Sequence, residues 1–282
     1  MRIFRFGPRG RERPGLFSAE AGRVDVSAFG EDYGEAFFGS DGLGRLGRWY
    51  AEHAAECPSV GADERIGPPL LRPSKIVCVG LNYRAHAEET GGNLPPEPML
   101  FMKATTALAG PYDDLRLPRA SKKTDWEVEL ALVIGRTARY VEKARWAEYV
   151  AGFALMNDYS EREHQKERGG QFVKGKSADG FAPLGPLLVT PDELDPGNLD
   201  LRLRVNGELM QDGNTSDLIF DVPTLVSHIS EFMTLLPGDV ISTGTPAGVG
   251  AGRNPPQFLQ PGDIVDYEAS GLGAARQRII AP

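Results

Sequence analysis

Three acidic side chains carry the strongest chemical signal in the chain: Glu127 and Glu129 in "DWEVELALVIG", and Asp158 closing "AGFALMND". In an extended segment side chains alternate between faces, so Glu127, Glu129 and Ala131 share one side while Val128, Leu130 and Leu132 share the other. The two glutamates then stand about 7 Å apart along the backbone, and like charges on one buried face need a compensating cation. A solvent-facing strand with two surface glutamates would show the same periodicity. Asp158 argues against it by adding a third carboxylate at a strand terminus, where sites are commonly assembled. Three such oxygens suit a hard divalent ion, Mg²⁺ or Mn²⁺ with Ca²⁺ within the same ligand chemistry, and waters completing the shell. Neither Cys-x-x-Cys nor a paired-histidine motif accompanies them, which disfavours zinc.

A second constellation lies in "LNYRAHAEE", where His86 and Glu89 are three apart and meet if the chain turns helically after Tyr83. A carboxylate on one imidazole nitrogen fixes the tautomer and leaves the other nitrogen able to take a proton from water. A surface helical turn has the same spacing, and Glu88 competes as the partner. Other motifs carry less. "GLGRLG", residues 42–47, fits G-x-G-x-x-G, but no strand leads into it and no βαβ unit surrounds it. "GTPAGVGAG" lacks the Lys-Ser/Thr ending of a P-loop, and its glycines are better suited to close backbone approach. Ser160 and Ser177 have no histidine at a spacing that would activate them, and His53, His164 and His228 read as surface or packing residues.

The elements that must position these groups are mostly strands: "KIVCVG", "EVELALVI", "AGFALMND", "LRLRVNG", "DVISTG" and "IVDYEA". The turns Pro237-Gly238-Asp239 and Pro261-Gly262-Asp263 suit type II geometry, with proline first and glycine accepting positive φ. Helices are expected over "VEKARWAEYV" and "VPTLVSHISEFM". Residues 1–70 read as a small N-terminal α/β lobe of short strands ("RIFRF", "RPGLF", "RVDVS") and a weak helix over "LGRLGRWYAEHAAE". The proline-rich "GPPLLRP", residues 67–73, links it to a catalytic domain over residues 71–282. The expected class is α+β, with mixed strands curled into a barrel-like sheet.

Of the 282 residues, 41% are hydrophobic and 25% charged, an ordinary globular balance. A formal net charge of -8 argues against a phosphate-backbone binder, so nucleic acid is not expected as a partner. Cys57 and Cys78 cannot build a disulfide framework, which fits a reducing compartment. "MRIFRFGPRG" lacks an apolar signal core, and no window reaches the roughly 18 apolar residues of a membrane helix. A soluble, cytoplasmic chain without a membrane partner is the expectation.

Taken in order across residues 75–280, "GLNYRAHAEE", "DWEVEL", "NDYSEREHQ", "VKGKSADG" and "ISTGTPAGVG" resemble the fumarylacetoacetate hydrolase family. "RIFRFGP" and "RPGLF" are further similar to its bacterial subgroup of 2,4-diketo-3-deoxy-L-fuconate hydrolases, often labelled ureidoglycolate lyases. The resemblance implies metal ligation by Glu127, Glu129 and Asp158, and a general base His86 oriented by Glu89 on a mobile lid. It implies a lysine, Lys176, over the metal-bound substrate, with Lys174 pointing away if that segment is extended. It also implies that Arg162, Gln165 and Thr245 hold the substrate carboxylate and neighbouring oxygens, with Tyr83 lining the pocket. Where family members commonly carry threonine and a bulkier residue or cysteine, this chain has Gly180 and Ala178, which bears on substrate size. The implied activity is hydrolysis of a carbon–carbon bond in a β-diketo acid, of acylpyruvate type or a 2,4-diketo-3-deoxy sugar acid, by a homodimer. The alternatives are oxaloacetate decarboxylation or tautomerisation on the same metal, or a catalytically silent metal- or ligand-binding protein.

Overall fold

The two apolar runs that end near the acids, "VELALVI" and "VAGFALMN", are buried along their whole length. Strands covered on both faces read as continuous apolar runs, and these two form the middle of a sheet. A computed structural model describes residues 1–89, 91 and 94–282. In it Val128–Ile134 and Val150–Asn157 pair antiparallel within a ten-stranded sheet. The order is Gly22–Asp25, Arg13–Ser18, Arg2–Phe6, Leu188–Val189, Val150–Asn157, Val128–Ile134, Val240–Ser242, Ile76–Gly80 and Met99–Lys103, with Ile66–Gly67 also on Arg2–Phe6. Val240–Ser242 and Ile76–Gly80 run parallel. A five-stranded sheet packs against the central strands, and its strand Asp200–Val205 alternates so that Leu201, Leu203 and Val205 face inward.

The sheets do not close into the expected barrel. Closure would require the strands at the two ends of the large sheet to pair, and they do not. Among the strands of the described residues Gly22–Asp25 pairs with Arg13–Ser18, its outer side taking only the isolated bridge Val24↔Ser59, and Met99–Lys103 pairs with Ile76–Gly80 alone. The latter edge is instead covered by the short helix Phe172–Lys176, where Phe172 meets Phe101 edge-on with ring centroids 5.3 Å apart. The helix expected over "VEKARWAEYV" is also different: Lys143–Tyr149 winds as 3₁₀ turns. Its last residue, Tyr149, accepts a hydrogen bond from the Gly135 N–H at 2.7 Å and the next strand begins at Val150, so these tight turns end against the sheet.

Other local expectations match. Val222–Phe232 is helical, capped by the Asp221 carboxylate accepting from Thr224 N–H at 3.0 Å. Gly238 and Gly262 take φ of 88° and 101° in the two turns. "GLGRLG" lies inside the helix Gly42–His53, not in a phosphate loop. The N-terminal strands join the large sheet where Arg2–Phe6 pairs with Leu188–Val189. Ion pairs add to this join: Arg65 reaches Glu12 at 2.8 Å and Asp113 at 2.7 Å. Cys57 and Cys78 are both free thiols, and no helix among the described residues is long and apolar enough to cross a membrane.

Candidate active site

The antiparallel register Val128↔Asn157 sets Asp158 opposite Glu127, and the Asp158 N–H donates to the Glu127 carbonyl at 2.8 Å. Thirty residues of separation therefore vanish at one strand end. One oxygen from each of Glu127, Glu129 and Asp158 lies within 4.8 Å of the other two, with all three side chains buried. That is closer than the 7 Å backbone spacing of the glutamates, because the side chains converge.

Each acid is held differently. Glu127 accepts from the Lys176 ammonium at 2.5 Å and from Arg162 at 2.7 Å. Asp158 accepts from Lys176 at 2.8 Å and from a second buried ammonium, Lys103, which also donates to the Tyr159 carbonyl at 3.0 Å. Among the described residues Glu129 makes no ion pair; it accepts from the Ser242 hydroxyl at 2.5 Å and the Gly244 N–H at 2.9 Å. Gly244 is required there, since its φ is 102° and a Cβ would lie 2.8 Å from the Asn82 Cβ.

The electrostatics follow from these partners. Burial opposes the charge on Glu127, but Lys176 and Arg162 outweigh it and hold its pKa at about 2. For Glu129, burial and the neighbouring Asp158 and Glu127 act together and push it well above the usual carboxylate range. Burial also works against Lys176, yet Asp158 and Glu127 keep its ammonium above its ordinary value. Burial lowers Lys103, with Asp158 opposing. With all three acids ionised, as they would be around a cation, three carboxylates against two lysines leave one negative charge, while Arg162 is offset by Asp125 at 2.7 Å. A buried all-oxygen cluster short of positive charge fits a hard divalent cation. Such an ion would turn the balance positive and so favour an anionic ligand.

His86 and Glu89 meet as the spacing predicts, on the helix Arg84–Glu89, with His86 Nδ1 and Glu89 Oε2 3.1 Å apart. An ionised Glu89 can only accept, which assigns the proton to Nδ1 and makes Nε2 the basic nitrogen. The other Glu89 oxygen accepts from Gly248 N–H at 3.0 Å, fastening the helix to the loop that follows Thr245. A Cβ at Gly252 would stand 2.7 Å from the Glu89 carboxyl carbon, so this glycine gives the acid its room.

His86, Glu89, Glu127, Glu129, Arg162, Gln165, Lys176 and Thr245 all line one cavity of about 460 Å³. Asp158 lies behind Lys176, bonded to it, and Tyr83 is fully buried outside the cavity wall. The Tyr83 hydroxyl has no hydrogen-bond partner among the described residues. Thr245 donates its hydroxyl proton to the Val128 carbonyl at 2.8 Å and accepts from Gln211 at 2.8 Å. Arg162 spends its fork on Asp125, Glu127 and Gln165. Lys174 is exposed and donates to the Arg168 carbonyl at 2.8 Å, so it points away from Lys176 although the segment is helical, not extended.

Two residues escaped the sequence reading. Lys103 ends the strand Met99–Lys103, and its only signal is a lysine closing an apolar run. Asp125 stands two residues before Glu127, is fully buried, and takes the Arg162 guanidinium together with the N–H groups of Gly250 and Ala251 at 2.6 and 3.0 Å. The glycine-rich loop thus binds carboxylates of its own chain.

A family model described as fumarylacetoacetate (FAA) hydrolase C-terminal matches residues 75–280. A protein of Burkholderia lata, provisionally named a hydrolase, is 46% identical over 279 residues, which is 98% of either chain. The solved structure of the fumarylacetoacetate hydrolase of Exiguobacterium antarcticum superposes with a TM-score of 0.85 at 36% identity over 100% of both chains. Maleylpyruvate hydrolase of Sphingobium sp. SYK-6, solved with manganese(II) and pyruvate, gives a TM-score of 0.82 at 29% identity over 100% of this chain and 99% of that one. With the acids, the histidine pair and the lysine drawn together on such a scaffold, the chain belongs to the fumarylacetoacetate hydrolase family.

Proposed function

We propose that this enzyme hydrolyses a carbon–carbon bond in a β-diketo acid of acylpyruvate type, with Mg²⁺ or Mn²⁺ held by Glu127, Glu129 and Asp158. The observation that carries the reading is the convergence of that triad with the His86–Glu89 pair on a single cavity. The names of relatives support hydrolase chemistry, and one of them acts on maleylpyruvate.

When bound, the metal would supply Lewis-acid stabilisation of the pyruvate enolate as the bond breaks. His86 takes a proton from water through Nε2, with Glu89 holding the tautomer and stabilising the imidazolium. The hydroxide equivalent adds to the distal carbonyl carbon, and cleavage of the bond to the methylene carbon gives a carboxylic acid and the enolate. A proton returned to that methylene carbon completes pyruvate. Lys176, already inside the cluster, places its charge beside the oxygens where negative charge collects. Arg162 and Gln165 bound the pocket where the substrate carboxylate sits, and Thr245 contributes its backbone N–H, since its hydroxyl proton is committed to Val128. Tyr83, behind the wall, bears on the pocket through packing. Purified protein supplied with Mn²⁺ should release pyruvate from 2,4-dioxo acids and stop when a chelator removes the metal; full activity after chelation refutes the proposal.

The same reading includes a homodimer acting in the cytoplasm, with residues 1–70 as an N-terminal lobe and 71–282 as the catalytic domain. Light scattering and expression of residues 71–282 alone test the assembly and the division.

A further inference from the structure

At Val128, between two of the three acids, the central strand outruns its neighbour. Pairing with Val240–Ser242 stops at Ala131↔Ser242, and the last backbone bond on that side runs from the Thr243 N–H to the Leu130 carbonyl at 3.0 Å. Buried peptide groups beyond that point must find other partners. At Val128 they are side chains: its N–H donates to the Gln211 amide oxygen at 2.9 Å, and its carbonyl accepts from the Thr245 hydroxyl at 2.8 Å. Gln211 comes from the other sheet, on the edge strand Glu208–Asn214, and is fully buried. Its amide nitrogen donates to the Thr245 hydroxyl and to the Pro246 carbonyl, each at 2.8 Å. One carboxamide thus replaces a missing strand, with its oxygen accepting and both its N–H groups donating. Strand and loop also lie tightly together, since a Cβ at Gly213 would stand 2.5 Å from the Pro246 Cβ.

The loop is anchored independently on either side of this contact. Before it, the Asn82 amide donates to the Thr243 carbonyl at 2.7 Å and Gly244 donates to Glu129. After it, Gly248 donates to Glu89 and accepts from the Trp126 indole N–H at 3.1 Å. Between these anchors, among the described residues, Thr245 and Pro246 are hydrogen-bonded through Gln211 and Val128 alone. Thr245 lines the cavity, and its backbone N–H has no acceptor among the described residues. We infer that Gln211 is a positioning residue, which fixes the Thr245–Pro246 step so that the Thr245 N–H meets the substrate carboxylate. This deepens the proposed function and rests on it for the place of that carboxylate. The metal ligands have other supports: the Glu127 N–H donates to the Asn157 amide oxygen at 2.9 Å, and Glu129 is held by Ser242 and Gly244. Loss of Gln211 should therefore weaken carboxylate binding and spare the metal.

The test is Gln211→Met, which keeps the length of the side chain and removes its three hydrogen bonds. Calorimetry measures Mn²⁺ binding to the metal-free protein and pyruvate binding to the Mn²⁺-loaded protein, while steady-state assays follow pyruvate release from 2,4-dioxopentanoate. The pyruvate Kd and the KM should rise about tenfold, with kcat and the Mn²⁺ Kd within about threefold of wild type. Unchanged pyruvate affinity, or a joint fall of Mn²⁺ affinity, pyruvate affinity and kcat, overturns the inference, because the second pattern is general loosening. Gln211→Met combined with Thr245→Val should lose no more pyruvate affinity than the larger single loss, since both act through one hydroxyl; losses that multiply overturn the route through Thr245. Gln211→Glu keeps the acceptor for Val128 and at most one donor, so its pyruvate affinity should fall between those of wild type and Gln211→Met. Should the methionine variant fail to fold, the glutamate variant carries the test, and wild-type pyruvate affinity in it overturns the inference. Failure of the proposed function is read separately: Gln211-dependent pyruvate binding without pyruvate release from the dioxo acid would refute the hydrolase chemistry and leave the positioning role standing.

Discussion

Lys103→Met gives the most informative perturbation, because it changes the charge of the acid cluster without touching a proposed metal ligand. Methionine keeps most of the lysine stem in a site that is 3% exposed, and only the ammonium's place over the Phe181 ring is lost from the packing. What disappears is one of the two ammonium groups on Asp158 and the bond to the Tyr159 carbonyl at 3.0 Å. Removing one partner from a buried ion pair costs about 3 to 5 kcal/mol, mostly through the charge left behind. In a chain of this size each kcal/mol moves the melting temperature by roughly 2 to 4 °C, so the metal-free variant should melt about 6 to 20 °C below wild type. The cluster then carries two excess negative charges instead of one, so Mn²⁺ should bind at least about tenfold more tightly, a gain of about 1.4 kcal/mol or more. Part of the lost stability therefore returns on metal addition. Thermal melts with chelator and with Mn²⁺, together with calorimetric Kd values, read both effects. A metal-free variant melting within about 2 °C of wild type, or one with unchanged Mn²⁺ affinity, would refute the charge accounting.

His86→Ala should lower diketo-acid hydrolysis by about 10² to 10⁴ while leaving Mn²⁺ affinity unchanged. Retained oxaloacetate decarboxylation in that variant would favour the alternative that needs no attacking water. Glu129→Gln replaces the acid that lacks a cation; it should weaken Mn²⁺ binding by at least tenfold yet fold normally, since Ser242 and Gly244 can still donate to the amide oxygen. Equal metal affinity would remove Glu129 from the ligand set. Asp113 is held below its ordinary 3.8: burial opposes its charge, but hydrogen bonds from Arg65 and Gly110 prevail. A depressed folded pKa stabilises above the unfolded value and ceases to as pH falls through the folded one. Asp113→Asn should therefore lower the melting temperature at pH 7, with the gap to wild type closing below about pH 3.8. A gap that does not narrow as the pH falls below 3.8 would show that the pair with Arg65 is not its source.

Much of the site is written in local pattern. The alternation in "WEVEL" puts Glu127 and Glu129 on one face, and the three-residue step from His86 to Glu89 becomes a hydrogen bond as soon as that segment turns helically. The central strands were also legible, because a run such as "VAGFALMN" has no polar face to leave in water. The curl of the sheet was not. Closure depends on whether the outermost strands meet, and at Met99–Lys103 a five-residue helix from 70 positions later covers the edge instead. Nor was the 3₁₀ winding of Lys143–Tyr149, since apolar spacing does not choose between the two kinds of helix.

By itself, then, the sequence determined which residue types could bind a cation or move a proton, and which short segments would present them. Only the tertiary structure decided their company: that Asp158 faces Glu127 across a strand pair, that Lys103 neutralises one of its oxygens, and that Asp125 restrains Arg162. The reason is range. Alternation and helical spacing act over a few residues of backbone, whereas charge balance in a buried cluster sums groups contributed by different strands and helices, and strand register chooses which of them meet.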